Sequence, residues 1–241
     1  MSLNWKEIDL ILSELCLENS SIQKIRQPDF RTLVLDLYKP KRRFSLLISL
    51  AQGKTRLHSL SRPVKNQVPL QRFAQMLRSR IQGGRITSAE QIGRERIVRV
   101  DIQRAGEQTI LFLRLWGGAG NVIAADQDFT ILDAFYRRPK RGEISGQYFN
   151  PQELIETTRA RRTQKDQEFQ VRPYGEPDGE PRGEVAGFNR FIEDQYRRQE
   201  EDEELARLEE KVRGLIERQR RFMEDKLEEL RDSCASESEI E

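Results

Sequence analysis

A cluster of arginines with one interleaved acid is the part of this sequence best suited to chemistry. Arg94, Arg96 and Arg99 follow Gly93, and Glu95 lies between the first two. On a strand, Arg94 and Arg96 would share one face and Glu95 would point to the other. An arginine fork beside an acid can clamp phosphates and hydrogen-bond base edges, as nucleic-acid readers do. The alternative is a surface ion pair, which contributes little to stability.

Other catalytic machinery is sparse. The single histidine, His58, lies in a predicted strand and has no serine or cysteine in an elbow motif with which to form a triad. Cys16 falls on an apolar helical stripe, which predicts a buried thiol, and Cys234 is far from it, so neither indicates a metal site. The glycines from Gly117 to Gly120 precede a predicted strand, so they favour a tight hairpin over a phosphate cradle. The sequence therefore predicts a protein that is not an enzyme and has no cofactor or metal ion.

A long stretch without acids surrounds these residues. From Leu37 to Ala89 the chain has no Asp or Glu, but it has twelve cations. A surface that concentrates cations repels itself, so it is best tolerated where a polyanion binds. Aromatic residues are sparse nearby, which favours a structured RNA read by its shape and backbone over single-strand stacking. The cations predicted to contact the RNA backbone are Arg42, Arg43, Lys54, Arg56, Arg72, Arg78, Arg80 and Arg85.

Charge also divides the chain. Residues 1–162 carry a net charge of +12 and residues 163–241 a net charge of −10, although the whole chain has only +2. A basic half joined to an acidic half indicates that the two halves contact different partners. The sequence begins with no secretory signal and contains no run of eighteen apolar residues, so it predicts a cytoplasmic protein with no membrane partner.

Hydrophobic periodicity predicts an α+β domain over residues 1–160, in which each of two antiparallel strand blocks is opened by one helix. Such an order suits two sheets packed face to face. Helices are predicted over residues 5–17, 70–81 and 150–158, and Gly83-Gly84 should end the second one in the left-handed region. Strands are predicted over residues 21–26, 32–38, 44–51, 55–61, 85–91, 96–103, 109–116, 121–125 and 130–136.

The remaining residues predict a different organisation. Residues 161–186, rich in proline and glycine, predict a flexible linker, and residues 187–233 predict one long helix with near-heptad apolar spacing. Residues 234–241 are predicted to be disordered. A helix of this length needs a partner helix, so self-association through a coiled coil is one expectation, and a gene that is shortened or split is another.

Several motifs together carry a family resemblance. The runs are 73–86 (FAQMLRSRIQGGRI), 90–101 (EQIGRERIVRVD), 120–123 (GNVI) and 130–134 (TILDA). In this order and spacing they resemble the N-terminal domain of the NFACT family, which includes bacterial RqcH and eukaryotic NEMF and is often labelled fibronectin-binding protein A. The resemblance covers roughly residues 3–151.

The resemblance implies a β-sandwich like that of MutM-type DNA glycosylases, without their activity. It also implies a partner: the large ribosomal subunit that holds a stalled nascent chain and its tRNA, with recruitment of tRNA for template-free tailing. The family's Asp-Arg pair for tRNA falls on Glu95-Arg96, and its Gly-Arg-His-Ser-Asn-like turn falls on residues 117–121. The resemblance and the arginine cluster together name five candidate tRNA-binding residues: Arg94, Glu95, Arg96, Arg99 and Asn121.

The sequence also departs from the family. An early family aspartate falls on Asn4, and the helix-hairpin-helix module, the returning coiled-coil arm and the C-terminal RNA-binding domain have no counterpart here. The leading hypothesis is an RNA-binding component of ribosome-associated quality control that binds tRNA and the rRNA of the large subunit. The alternative is a fibronectin-binding, adhesive interaction protein without RNA function. A glycosylase-like enzyme is disfavoured, because residues 1–4 supply neither a proline nucleophile nor a carboxylate.

Overall fold

The first helix is fixed at its start by a reciprocal cap. The structure, a computed structural model, describes residues 2–65, 68–153, 155–156, 169–174 and 187–238, with side chains as far as residue 231. Helix α1 spans Trp5–Leu15, and Asn4 Oδ1 accepts a hydrogen bond from the Glu7 amide while Glu7 Oε2 accepts one from the Asn4 amide. This capping box satisfies two amides that a helix start leaves unpaired. The helix ends at Cys16 in the left-handed region, where the thiol is exposed, so the predicted core thiol was wrong.

Four consecutive antiparallel strands follow α1, as predicted. A two-residue turn joins the second strand to the third and pairs Lys39 with Arg42, so the third strand begins earlier than the apolar run suggested. Lys41 adopts a φ of 68° in this turn. The strands are β1 (Ser21–Arg26), β2 (Thr32–Lys39), β3 (Arg42–Ser49) and β4 (Arg56–Leu60).

A second helix separates the two strand blocks. Helix α2 spans Arg72–Ile81 and buries Phe73, Ala74, Leu77 and Ile81. Gly83 follows with a φ of 84°, which confirms the predicted left-handed stop. At Gly84 a Cβ atom would lie 3.0 Å from the Ile81 oxygen and 3.1 Å from the Gln103 oxygen, so only glycine fits without a shift.

Five further antiparallel strands form the second block. A short 3-10 turn at Gly117–Ala119 joins the third of them to the fourth, where a tight hairpin was expected. All five strands overlap strands predicted from the sequence. They are β5 (Arg85–Gln91), β6 (Ile97–Arg104), β7 (Glu107–Arg114), β8 (Asn121–Ala125) and β9 (Ile131–Ala134).

The two blocks form one continuous sheet. Its strand order is β4-β3-β2-β1-β5-β6-β7-β8-β9, and a single registered pair, Ser21 with Arg85, connects the blocks. Every residue of β8 is buried, as are the last six of β7, so these strands are covered on both faces. One core cluster there contains Ile110, Phe112, Ile123 and Phe149. The α+β class is confirmed, with one sheet in place of two separate ones.

The chain divides into two compact units, Met1–Glu193 and Asp194–Glu241. Helix α3 spans Gly187–Ser238, so about its first two turns belong to the unit that contains the sheet. The helix extends beyond residue 233, where the prediction ended it. Residues 151–153 and 155–156 are helical, and most of the predicted linker lies outside the described residues. No helix among the described residues is both long and apolar enough to cross a membrane.

The start of α3 is held by a carboxylate from α1. Glu14 Oε1 accepts the amide of Phe188 at 2.8 Å, and Glu14 Oε2 accepts the amide of Asn189 at 2.9 Å. An anion at a helix start satisfies its unpaired amides and complements the helix dipole. Farther along α3, the apolar side chains predicted to form a coiled-coil seam are exposed, among them Leu205, Leu208, Val212, Leu215 and Leu230.

Candidate nucleic-acid interface

Arg94 and Arg96 of the arginine cluster lie in the turn between β5 and β6, and Arg99 lies on β6. Gly93 adopts a φ of 57° in the turn, and the Glu95 amide donates to the Ile92 oxygen at 3.2 Å. Strand β6 begins at Ile97, after both arginines of the proposed fork, so strand alternation does not set their directions. Arg94 is exposed, whereas Glu95 is only 7% exposed. The turn therefore offers Arg94 to a ligand and keeps Glu95 inside.

The arginines of this turn contact the N-terminal residues. The Arg94 guanidinium lies 5.7 Å from the centroid of the Trp5 ring, and Arg96 Nη1 donates to the Leu3 oxygen at 3.4 Å. The Leu3 amide in turn donates to the Thr55 oxygen at 3.3 Å. These contacts bring the start of the chain, the start of β4 and the β5–β6 turn to the same place.

A cavity of about 340 Å³ lies beside this turn and is bordered by a distant segment, residues 169–174, that we call the strap. Asn4 Nδ2 donates to the Gln170 oxygen at 2.8 Å. Arg172 Nε forms an ion pair with Glu7 Oε1 at 2.9 Å, and the Arg172 amide donates to the same oxygen at 3.1 Å. The strap thus closes one side of the cavity that Arg94, Glu95 and Arg96 line.

Arg99 lies on β6 and borders a second cavity. Its guanidinium makes two contacts of 3.0 Å with the carboxylate of Asp101, and it lies 5.6 Å from the centroid of the Phe129 ring. Strand alternation places Arg99 and Asp101 on the same face of β6. The ion pair holds Arg99 in place and offsets its charge, so it is a weaker phosphate ligand than the exposed Arg94.

Asn121 is fully buried, so in this structure it cannot contact RNA directly. Its Nδ2 donates to Glu143 Oε2 at 2.6 Å, and its Oδ1 accepts the amides of Val122 and Tyr136. These hydrogen bonds give Asn121 a structural role at the end of the Gly117–Ala119 turn. The predicted position as a direct contact is therefore corrected, because every polar atom of the side chain is engaged inside the domain.

A buried ion pair lies next to Asn121. Arg114 Nη2 and Glu143 Oε1 are 2.6 Å apart, and the two side chains are only 2% and 3% exposed. Burial lowers the pKa of Arg114, while the carboxylate of Glu143 raises it. Arg114 Nε also donates to the Ala119 oxygen at 2.9 Å, so the pair anchors the glycine-rich turn.

The eight cations predicted to contact the RNA backbone differ in access. Arg56 is buried, with its Nε donating to His58 Nε2 at 3.3 Å, so it is corrected to an internal residue. Arg72 is exposed but pairs with Asp133, and burial and the charge of Arg137 lower its pKa. Arg80 pairs with Glu107 at 3.3 Å. Partly buried members are Arg42, Lys54 and Arg80, and the other exposed members are Arg43, Arg78 and Arg85.

Three strand pairings place two of these cations, Arg43 and Arg85, in one row across the sheet. Arg43 is opposite Tyr38, Tyr38 is opposite Ser21, and Ser21 is opposite Arg85. Residues directly opposite in antiparallel strands project from the same face, so this row crosses four strands on one face. Three strand spacings separate Arg43 from Arg85, which is about 14 Å.

We call Lys39, Lys41, Arg43 and Arg85 the basic rim. Lys41 is in the β2–β3 turn beside Arg43, and the Arg43 guanidinium lies 5.7 Å from the centroid of the exposed Tyr38 ring. Lys39 Nζ donates to the Cys16 oxygen, which holds it at this end of the sheet. The rim carries its charge beside an exposed aromatic ring.

The basic rim and the β5–β6 turn lie apart. Arg85 begins β5 and Gln91 ends it, so the two groups are at opposite ends of the strand, separated by about 20 Å. An RNA that touched both would have to span the length of β5.

Comparison with known proteins gives this fold a family. The family described as NFACT N-terminal and middle domains matches residues 8–145, which is more than half of the chain. The chain belongs to the NFACT family. The matched residues of this NFACT chain include the basic rim, the β5–β6 turn and the buried Arg114–Glu143 pair.

Relatives match part of the NFACT chain. Two Rqc2 homolog RqcH proteins from strains of Streptococcus pneumoniae are 29% identical to it over 116 residues, which is 46% of this chain. The chain spans about a fifth of the length of these curated relatives, since the match covers 21% of each.

Solved structures share the fold. A fibrinogen-binding protein of Staphylococcus aureus superposes with a TM-score of 0.55 and 25% identity, over 61% of this chain and 55% of that one. The N-terminal domain of the fibronectin-binding protein PavA of S. pneumoniae gives a TM-score of 0.56 and 22% identity, over 66% and 69%. The N-terminal part of the fibronectin/fibrinogen-binding protein of Streptococcus suis gives 0.57 and 22%, over 61% and 60%.

Sequence reasoning missed two features of the interface. The strap was not predicted, because its contacts with Asn4 and Glu7 join residues that are far apart in the sequence. The cavity beside Arg99 was missed too, because Phe129 and Tyr148, which line it, are far apart in the sequence. Among the described residues, no cluster of three or more His, Cys, Asp or Glu is arranged to hold a metal ion.

Proposed function

We propose that this NFACT chain is an RNA-binding component of ribosome-associated quality control, which binds tRNA and the obstructed large ribosomal subunit. The curated relatives are named Rqc2 homolog RqcH, which supports the pathway. The observation that carries the RNA proposal is a set of exposed cations without acidic partners. None of these six pairs with a carboxylate among the described residues: Lys41, Arg43, Arg62, Lys65, Arg78 and Arg85.

Phosphates are the ligands that this charge arrangement suits. The basic rim presents Arg43 and Arg85 on one face of the sheet, with Lys41 in the adjoining β2–β3 turn. Arg94 presents a second positive site about 20 Å away along β5. Contacts to phosphate position an RNA without reading its sequence, and each contact releases counter-ions. Binding is therefore expected to depend strongly on salt and weakly on RNA sequence.

The chain acts in this proposal by binding and not by catalysis. Arg94, Glu95 and Arg96 border a cavity but are not joined there by a nucleophile with a positioned base. His58 is buried, and burial and the charge of Arg56 lower its pKa to about 3, so it is unsuited to proton transfer near neutral pH. The expected contribution is to hold RNA and the subunit together.

Binding of tRNA to the purified chain tests the proposal. Arg94→Ala should weaken binding severalfold without lowering the melting temperature, because Arg94 is exposed. Glu95→Gln is the second variant, since truncating the buried Glu95 to alanine would mix a stability effect with a binding effect. Equal binding by wild type and Arg94→Ala would remove the turn from the interface.

Cosedimentation tests the ribosomal partner. Large subunits carrying peptidyl-tRNA should retain more of the chain than subunits without it, because the proposal places tRNA and rRNA on the same protein. Equal retention by both kinds of subunit would indicate that the chain binds rRNA and that tRNA adds nothing to the binding. Failure of both to retain the chain would contradict the proposed partner.

A second candidate function has one observation in its favour. The solved structures with this fold are named fibrinogen- or fibronectin-binding proteins. Immobilised fibronectin and fibrinogen would bind the chain if it is an adhesive interaction protein. Binding that is retained after Lys41→Ala, Arg43→Ala and Arg85→Ala, together with no binding of RNA, would favour this second function.

A further inference from the structure

A second cavity lies on the other side of the β5–β6 turn. Its volume is about 390 Å³, and it is lined by the end of β5, by Arg99 of β6, by Phe129, and by Tyr148 with residues 150–152. Gly93 belongs to its lining, while Arg94 belongs to the lining of the first cavity. The exposed Arg94 therefore stands on the ridge between the two cavities.

Two aromatic rings form the apolar side of this cavity. Phe129 adopts a φ of 60°, a conformation that costs about 1 kcal/mol or more for a residue with a Cβ atom, so the surrounding structure must hold it. Its ring centroid lies 6.3 Å from that of Tyr148, with the planes at 78°. Tyr148 is 64% exposed, which is unusual for a large ring at the mouth of a cavity.

Backbone contacts hold the segment that carries the exposed ring of Tyr148. Tyr148 forms a bridge with Thr130, and the Phe149 amide donates to the Phe129 oxygen at 2.9 Å. Phe149 is buried against Phe112, with 4.9 Å between their ring centroids. The backbone of Tyr148 is thus held beside Thr130 and Phe129, and a tyrosine side chain has only two χ angles to order, so its ring offers a stacking surface at low entropic cost.

Polar groups occupy the rest of the lining. Arg99 is held by Asp101, so its planar guanidinium stays over the Phe129 ring. The Gln91 Oε1 atom is buried and has no hydrogen-bond partner in the described structure. Asn150 Oδ1 accepts the amides of Gln152 and Glu153, which leaves its Nδ2 to donate. The cavity therefore offers the exposed ring of Tyr148, a planar cation and the Asn150 amide as a donor, beside the buried acceptor of Gln91.

A nucleobase matches these features. A base stacks on an aromatic ring or a guanidinium plane and presents donors and acceptors at its edge. A bare phosphate fits worse, because Asp101 already offsets Arg99 and Glu90 adds a negative charge. A purely apolar peptide side chain would leave the side-chain N–H groups of Asn150 without a hydrogen-bond acceptor, which costs free energy.

We propose that this cavity receives one unpaired nucleobase of a bound RNA, stacked on Tyr148, while the adjoining phosphate contacts Arg94. The inference rests on the proposed RNA-binding function and adds to it a preference for RNA with a base that is free to leave its helix. It modifies the expectation from sequence that the RNA would be read by shape and backbone alone.

Two RNA hairpins with the same stem test the inference. One is fully paired, and the other carries a single bulged 2-aminopurine, whose fluorescence is quenched when the base stacks. Wild type should bind the bulged hairpin more tightly and quench it. Base stacking contributes about 1–3 kcal/mol, so Tyr148→Ala should weaken binding of the bulged hairpin about tenfold and abolish the quenching, with no change for the paired hairpin.

Two further variants complete the design. Tyr148→Phe keeps the ring and should behave like wild type. Phe30→Ala removes an aromatic ring of nearly the same exposure, 63%, that lines neither cavity, and should leave the binding of both hairpins unchanged. Melting temperatures of all variants should match, because both rings are largely exposed.

Each other outcome overturns the inference in a recognisable way. Tyr148→Ala that binds and quenches like wild type, or that weakens both hairpins equally, contradicts a base pocket while the proposed RNA function stands. Wild type that binds neither hairpin nor tRNA contradicts the proposed function itself. A tryptophan-containing peptide that binds in a Tyr148-dependent manner, with no bound hairpin, would assign the cavity to peptide recognition and overturn the base assignment.

Discussion

Asn4 Nδ2 donates a hydrogen bond to the backbone oxygen of Gln170, 2.8 Å away. This contact explains a departure from the NFACT resemblance, which implies an aspartate at position 4. An aspartate has no side-chain N–H to donate, so its carboxylate would face the carbonyl oxygen of Gln170 without a proton between them. The asparagine and the strap are thus chemically matched in this chain.

Asn4→Asp should release the strap without removing the helix cap. Aspartate caps a helix as well as asparagine does, so α1 should persist. The amide of Arg172, which donates to Glu7 Oε1, should exchange its hydrogen about fivefold faster, since one hydrogen bond contributes about 1 kcal/mol. Hydrogen exchange followed by mass spectrometry measures this rate. Unchanged protection of residues 169–174 would show that the Gln170 contact does not hold the strap.

The buried Arg114–Glu143 pair should be essential for stability. Glu143→Ala leaves the guanidinium of Arg114 buried without its carboxylate, which should lower the free energy of unfolding by about 3–5 kcal/mol. Glu107→Ala is the matched control, because it breaks the exposed pair with Arg80 and should cost less than about 1 kcal/mol. Urea denaturation compares the two. Equal costs would mean that burial of the pair has no energetic consequence.

His58 should make stability depend on pH. Burial, with the charge of Arg56, lowers its pKa from 6.5 to about 3. Between these values the unfolded chain takes up a proton that the folded chain does not. The contribution of the neutral imidazole to the free energy of unfolding is therefore complete above pH 6.5 and is lost as the pH falls. The loss is about 1.4 kcal/mol per pH unit, or about 2 kcal/mol from pH 6.5 to pH 5.

Urea denaturation at pH 7.5 and pH 5 measures this loss. His58→Gln removes the titrating group and should lose about 2 kcal/mol less than wild type over the same interval. Wild type and His58→Gln with the same pH dependence would show that the imidazole is not buried in its neutral form.

Local sequence patterns predicted most of the fold. Strands β1, β5 and β8 have the predicted bounds, because β-branched and aliphatic runs are separated there by clear turn residues. The left-handed stop at Gly83 followed from glycine chemistry alone. The single sheet did not follow, because it depends on the pairing of Ser21 with Arg85, which are distant in the sequence and connected by no local signal.

The candidate site was less predictable than the fold. Asn121 and Arg56 are polar residues in a basic or glycine-rich stretch, and nothing in the sequence shows that Glu143 and His58 satisfy them inside the domain. Arg94 and Arg96 were given strand-like directions, because the predicted strand began at Arg96, one residue before β6 begins in the structure. Burial depends on tertiary partners, and those partners are remote in the sequence.

The salt dependence of tRNA binding tests the central claim most directly. For wild type, the logarithm of the binding constant should fall steeply and linearly with the logarithm of the salt concentration. Replacement of three rim cations, Lys41→Ala, Arg43→Ala and Arg85→Ala, should reduce the slope by about 3, or about 1 per lost phosphate contact. The matched control removes three exposed cations of α3, Arg207→Ala, Arg213→Ala and Arg218→Ala, and should keep the wild-type slope. A flat salt response of wild type, or equal slopes for the two triple variants, would contradict the claim that phosphates bind at the basic rim.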